Sequence, residues 1–233
     1  MSLAQPTTSS RVIAFDLDGT LVDSRPEITA AMQLAWRSVI GEVAFPIERF
    51  RIGPPLADTI AAFAPEHDAP TREAIAAAFR SHYDRSDFAA TRPYPGVLEV
   101  VDALRARGLA IAVATNKRRA PTLAILERWF QGRFSTVACV DGVSPDDGTR
   151  VDAAGRPAHA VKAAMLGWIA RKAQLEAVIM VGDTTGDIAA ARAAGARAIA
   201  VTWGYEDETS LHAAGPDELV DDAAKLLLAL DRV

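Results

Sequence analysis

Five short apolar runs punctuate the chain: "RVIAF" before Asp16, "LAIAVA" before Thr115, "TVACV" before Asp141, "AVIMV" before Gly182 and "AIAVT" ending at Thr202. Each is of strand length, continuously hydrophobic and closed by polar or turn-forming residues, the pattern of strands covered on both faces. Between them apolar positions recur at helical spacing, at Val97, Val100, Val101 and Leu104 and again at Val161, Met165, Trp168 and Ile169. Those stripes are read as core contacts. Strands alternating with helices predict an α/β fold, a Rossmann-like doubly wound parallel sheet.

One interval breaks the alternation. Residues 22–93 carry no strand pattern; Ile28, Met32, Ala35, Trp36 and Val39 form one helical stripe, and "TREAIAAAFRSHY", introduced by Pro70 with Thr71 as its N-cap, is a second helix. A crossover between neighbouring strands does not need that length. The interval is therefore read as an all-helical cap domain, 22–93, inserted into an α/β core made of 1–21 and 94–233, with hinges at Asp23 to Pro26 and Thr91 to Pro95.

Composition narrows the partners. Half of the 233 residues are apolar, enough for a large core, and the net charge of -5 argues against a broad surface for nucleic acid or an anionic membrane. A small basic pocket for a phosphorylated metabolite remains compatible with that charge. Cys139 is the only cysteine and, within "TVACV", reads as a small buried hydrophobe. "MSLAQPTTSS" has neither the charged nor the apolar region of a secretory signal and is read as a disordered tail, and no apolar run reaches the roughly 20 residues of a membrane span. A cytoplasmic protein, monomer or homodimer, is expected.

Ligands of parallel α/β sheets gather at the carboxyl ends of the strands. The first end offers Asp16, Asp18, Gly19 and Thr20; the second Thr115, Asn116 and Lys117; the third Asp141; the fourth Gly182, Asp183, Thr184 and Asp187. Extended residues two apart face the same way, so Asp16 and Asp18 address one site. Glycine lets the chain turn there with its amides open to an anion. Carboxylates beside hydroxyl and amide groups suggest a Mg²⁺ site, which offsets their repulsion and leaves an oxygen of Asp16 free to attack phosphorus.

These residues resemble the haloacid dehalogenase superfamily of phosphohydrolases, in its phosphoglycolate phosphatase-like branch with a helical cap. "FDLDGTLVDS" is similar to the first motif of that family, "VATNK" to the second and "VGDTTGD" to the fourth, and "RPYPGVLEVVDALRARG" to the segment that returns from cap to core. The resemblance implies Asp16 as nucleophile, Asp18 as general acid and then base, Thr115 as a donor to phosphate, and Mg²⁺ held by Asp16, the Asp18 carbonyl and Asp183, with Asp187 supporting. It also implies a lysine after the third strand. Of Lys117, Lys162, Lys172 and Lys225, Lys162 is favoured because it opens a helix, whereas Lys172 lies further along it. Gly19, Thr20 and Asn116 are phosphate-binding candidates, and Arg49, Arg51 and the turn "IGPPL" are candidates for reading the substrate.

Within the resemblance, dehalogenases lack the second aspartate, present here as Asp18, and phosphonate-cleaving relatives use a cap lysine, absent from residues 22–93. The expected activity is hydrolysis of a small phosphomonoester, phosphoglycolate-like; 5′-nucleotides and sugar phosphates are the alternatives, a phosphomutase or a phospho-receiver module the more distant ones. Asp141 is read as a turn former or helix cap, Lys117 as an exposed turn residue, and Asp187 as either a cap or a member of the site. His67, His82, His159 and His212 show no metal-ligand spacing.

Overall fold

A computed structural model of the chain describes residues 11–143 and 158–232. The tail reading for residues 1–10 and the side chain of His159 lie outside what is described. The chain runs β1 (Arg11–Phe15), β2 (Val22–Asp23), α1 (Arg25–Ile40), a 3-10 turn (Ile47–Arg49), α2 (Leu56–Phe63), α3 (Ala69–Tyr83), β3 (Arg92–Pro93), α4 (Val97–Ala106), β4 (Ala110–Thr115) and α5 (Arg119–Trp129). It continues through β5 (Thr136–Cys139), β6 (Gly142–Val143), α6 (Ala158–Ala173), β7 (Ala177–Gly182), α7 (Thr185–Ala193), β8 (Arg197–Val201), α8 (Glu208–Ala214), β9 (Glu218–Val220) and α9 (Ala223–Asp231).

Among the described residues the main sheet has seven strands in the order β6-β5-β4-β1-β7-β8-β9. Its ladders are parallel except for β6, which runs antiparallel to β5 at the edge. From β1 the chain builds outward through β4 and β5, then crosses back to β7 on the other side of β1. The order of strands therefore reverses about β1, and the crevice at such a reversal is where α/β sheets bind ligands. Phe15 pairs with Val113 on one side and Val181 on the other, so β1, β4 and β7 end side by side.

Alternation along the strands supplies two cores. Ile13, Phe15, Val113, Val181 and Val201 point to one face, under α4, α5 and α9. Val12, Ala14, Ala112, Ala114, Ala198 and Ala200 point to the other, where Val161, Met165, Trp168 and Ile169 of α6 cover them. The small alanines let α6 lie close to the sheet, and complete burial of a side chain such as Met165 or Ile169 stabilises the fold by roughly 1.5–3 kcal/mol. This packing also seats the first turns of α6, with Lys162, beside the strand ends.

Residues 25–83 hold α1, α2, α3 and the 3-10 turn, and no strand is found there. Trp36, Phe45, Phe50 and Phe63 meet edge-on or tilted at centroid distances of 5.4–6.0 Å. Asp68, not Thr71, is the N-cap of α3: its carboxylate accepts the Thr71 N–H at 2.9 Å, because Thr71 already lies within the first turn. Where hinges were expected, β2 and β3 pair as a short antiparallel ribbon, Val22 with Pro93 and Asp23 with Arg92. Glu27 of α1 ties this ribbon down by accepting from the Thr91 N–H at 2.9 Å and from Ser86 Oγ at 2.8 Å. Among the described residues no helix is long and apolar enough to cross a membrane.

Candidate active site

Asp16 follows β1 directly and continues its ladder through Asp16 N–H to Val181 O at 2.9 Å. The chain then turns back, Gly19 taking φ +87° and donating its N–H to Val22 O. Thr115 closes β4, Asp183 follows β7, and Thr184 caps α7 in a reciprocal box with Asp187. Asp16, Asp183 and Asp187 are all buried, and their carboxylates offer oxygens within 4.8 Å of one another.

Asp183 is fully buried and held on every side. Thr20 Oγ1 donates to its Oδ1 at 3.0 Å and the Tyr205 N–H to its Oδ2 at 2.8 Å. A Cβ added at Gly19 or at Gly204 would overlap its carboxylate, so both loops require glycine to close on it. Gly182 has the same relation to Asp187. Gly204→Ala therefore displaces Asp183 or the Tyr205 amide, and a divalent-ion affinity weakened by roughly 10–100-fold is expected, the usual cost of disturbing what orients a metal ligand. Calorimetric titration with Mg²⁺ checks it; an unchanged affinity would show that the cradle does not set the ligand.

Lys162 Nζ reaches into the cluster, 2.6 Å from Asp187 Oδ1 and 3.1 Å from Asp16 Oδ1. The contact to Asp16 is an ion pair off the line of a hydrogen bond, and Asp16 Oδ1 is a buried oxygen with no donor aimed at it. Burial, opposed by Lys162 and helped by the Asp187 and Asp18 charges, pushes the Asp16 carboxyl up to about 7. Burial, helped by the Asp16 and Asp187 charges, raises Asp183 well above the ordinary carboxylate range. Lys162 moves upward too: burial opposes its charge, but Asp16 and Asp187 outweigh it. One lysine among three buried carboxylates leaves excess negative charge, and the oxygen-only donor set with an unsatisfied Asp16 Oδ1 fits a hard divalent cation.

A raised folded-state pKa means that the folded protein takes up a proton which the unfolded chain, near 3.8, does not hold. The resulting stability is full below about 4 and is lost as pH rises through about 7. A divalent cation competes with that proton. Mg²⁺ is thus expected to raise the melting temperature more at pH 8 than at pH 5.5, measured against EDTA; an equal gain at both would contradict a carboxylate-held ion.

Asp18 stands apart from the three clustered carboxylates. Its Oδ1 accepts from Ser24 Oγ at 2.5 Å and its Oδ2 pairs with Lys117 Nζ at 3.0 Å. Lys117 corrects the reading of an exposed turn residue: its side chain is 6 % exposed, it donates to Tyr83 OH at 2.7 Å, and it lies 4.5 Å from the Tyr83 ring centroid. Tyr83 comes from the end of α3, so this contact joins the helical segment to Asp18. Tyr205 OH, which accepts the Ser24 N–H at 2.9 Å, backs the same corner. Lys117, Tyr83, Ser24, Tyr205 and Gly204 were all missed as site residues.

Thr115 Oγ1 accepts the Lys117 N–H at 3.1 Å, and Asn116 Nδ2 donates to Gly53 O at 3.3 Å, placing the "IGPPL" turn over the strand ends. Beneath that turn lies a cavity of about 840 Å³ walled by Asp16, Asp18, Thr115, Asn116 and Arg51 among others. A second, of about 520 Å³, lies beside Lys162, Thr184 and Asp187 and also touches Arg51. Arg49 borders neither; its 3-10 turn carries it to Glu66, at 3.7 Å on the surface. Asp141 accepts the Arg119 N–H at 2.7 Å, bracing the start of α5.

Residues 10–195 match the family model described as haloacid dehalogenase-like hydrolase. Phosphoglycolate phosphatase 1 of Pseudomonas aeruginosa is 31 % identical in an alignment covering 100 % of this chain and 85 % of that protein. Phosphoglycolate phosphatase of Agrobacterium fabrum is 32 % identical, with 95 % and 92 % covered. A solved haloacid dehalogenase-like family hydrolase from Streptococcus pneumoniae superposes with a TM-score of 0.77 over 96 % of this chain and 100 % of that one; at 24 % identity the likeness speaks for the fold.

Proposed function

This chain belongs to the haloacid dehalogenase-like hydrolase family and is a phosphatase, and from that premise we propose that it hydrolyses a phosphomonoester, with Mg²⁺ as cofactor and an aspartyl phosphate as intermediate. The observation that carries the reading is the meeting of Asp16, Asp183 and Asp187 within 4.8 Å beside Lys162, where a cavity opens onto Asp16 and Asp18. In this reading 1–21 and 94–233 form the catalytic core and 22–93 the cap.

Asp16 attacks phosphorus in line, forming the acyl–phosphate bond as the ester P–O bond breaks, while Asp18 gives its proton to the departing alkoxide. Asp18 then takes a proton from the water that attacks phosphorus, and the Asp16 carboxylate leaves, restored. Lys162, Thr115, Asn116 and the loop at Gly19 and Thr20 hold the phosphoryl oxygens, a reaction in which positioning and electrostatics supply most of the rate. Asp16, the Asp18 carbonyl and Asp183, with Asp187 in support, would hold Mg²⁺, which would supply charge neutralisation at those oxygens. The cap keeps bulk water from the acyl phosphate.

Steady release of phosphate from a panel of phosphoglycolate, 5′-nucleotides and sugar phosphates with Mg²⁺ tests this. One stable phosphorylation without turnover would instead indicate a receiver-like module. The size of the 840 Å³ cavity supports including the bulkier esters.

A further inference from the structure

The wall of the 840 Å³ cavity away from Asp16 does not suit a two-carbon carboxylate. Cavities of roughly 300–1,000 Å³ hold drug-sized molecules, and this one lies in the upper part of that range. Ile28 of α1, Phe50, Ile52 and Leu56 around the "IGPPL" turn, and Phe79 of α3 line it. Phe79 stacks on Tyr83 at a centroid distance of 5.3 Å, extending the aromatic surface toward Lys117.

Three of the four cations along the same wall are paired with carboxylates. Lys117 is paired with Asp18 at 3.0 Å, Arg80 with Glu73 at 3.0 Å, and Arg118 with Asp84. Arg51 turns back on its own loop, Nη1 donating to the carbonyls of Glu48 at 2.8 Å and Phe50 at 3.0 Å. Among these cations a second anionic group on the substrate would find only Arg51 without a carboxylate partner, and that guanidinium already donates to two carbonyls. An apolar body needs no cation, and aromatic walls favour a ring.

We propose, on the basis of the phosphatase reading above, that the preferred substrate carries its phosphate on an alcohol with a bulky, apolar, ring-bearing body seated between Ile28, Phe50, Ile52 and Phe79. Small carboxylate alcohols such as glycolate fill little of that space and are the poorer leaving groups for this enzyme.

The test compares kcat/KM with Mg²⁺ for 2-naphthylmethyl phosphate, ethyl phosphate and phosphoglycolate, with 4-nitrophenyl phosphate as an activated reference. A preference of about tenfold or more for the naphthylmethyl ester over both others is expected, since even one well-seated methylene is worth roughly 10-fold. Phe79→Ala, checked for an intact melting transition, should narrow that ratio. Phosphoglycolate equal to or better than the naphthylmethyl ester, with the reference ester hydrolysed, overturns the substrate proposal and leaves the phosphatase reading standing. No hydrolysis of any of the four overturns both.

Discussion

Asp16→Asn abolishes phosphate turnover, lowering kcat by roughly 10⁴–10⁶-fold, the range seen when a covalent nucleophile is removed and only binding and electrostatics remain. The variant keeps the shape of the side chain and the Asp16 N–H to Val181 O link that continues β1, so the sheet is undisturbed. It also removes a charge that the site disfavours, since burial pushes the Asp16 carboxyl up to about 7 despite Lys162 at 3.1 Å. In EDTA at pH 8 the variant is therefore expected to melt no lower than the parent while losing activity. Phosphate release, the mass of the protein after incubation with substrate and a melting curve together check this. Residual turnover near the parental rate would remove Asp16 from the role of nucleophile.

The positions of Asp16, Asp18, Thr115 and Asp183 were legible because each is set by a local rule: a buried apolar run ends, and the next polar residue faces the crevice. Sheet order then brings β1, β4 and β7 together, and the side chains follow. Lys117 was not legible for the opposite reason. Its burial depends on Tyr83 from α3 and Asp18 from the first loop, and nothing in "VATNK" records either partner. Gly204 is similar, since the need for glycine there comes from Asp183, which approaches from another loop. Arg49 has the residue type of a substrate reader, but the 3-10 turn directs it to Glu66, and a turn of three residues leaves no periodic trace. β9 is likewise only "ELV", too short for alternation to show. Asp187 carried two readings and the structure gives it both positions, in the cap of α7 and against Lys162.

Lys162→Met should be the most damaging single change to the metal-free protein. The side chain is 4 % exposed and its ammonium faces Asp187 at 2.6 Å and Asp16 at 3.1 Å; without it, three buried carboxylates lie within 4.8 Å of one another with no cation between them. Removing one partner of a buried ionic group costs roughly 3–5 kcal/mol. In a protein of this length that corresponds to a fall in melting temperature of roughly 6–20 °C. The sign of the pH effect follows from Asp16 and Asp183, whose folded-state pKa values already lie above the ordinary range. Losing Lys162 removes the charge that holds Asp16 down and raises it further, so the deficit is largest at pH 8 and shrinks toward pH 5 as the carboxyls take up protons. Mg²⁺ narrows it from the other direction by supplying positive charge. Lys162→Arg does not restore the parent, because a planar guanidinium cannot occupy the space of one compact ammonium. Turnover in both variants drops by roughly 10²–10³-fold, the usual loss when a positioned donor to a charged transition state is removed. Melting curves at pH 5 and 8, with EDTA and with Mg²⁺, separate the electrostatic role from simple loss of packing. A deficit that does not change with pH or metal would mean that Lys162 holds α6 in place without balancing the charge of the cluster.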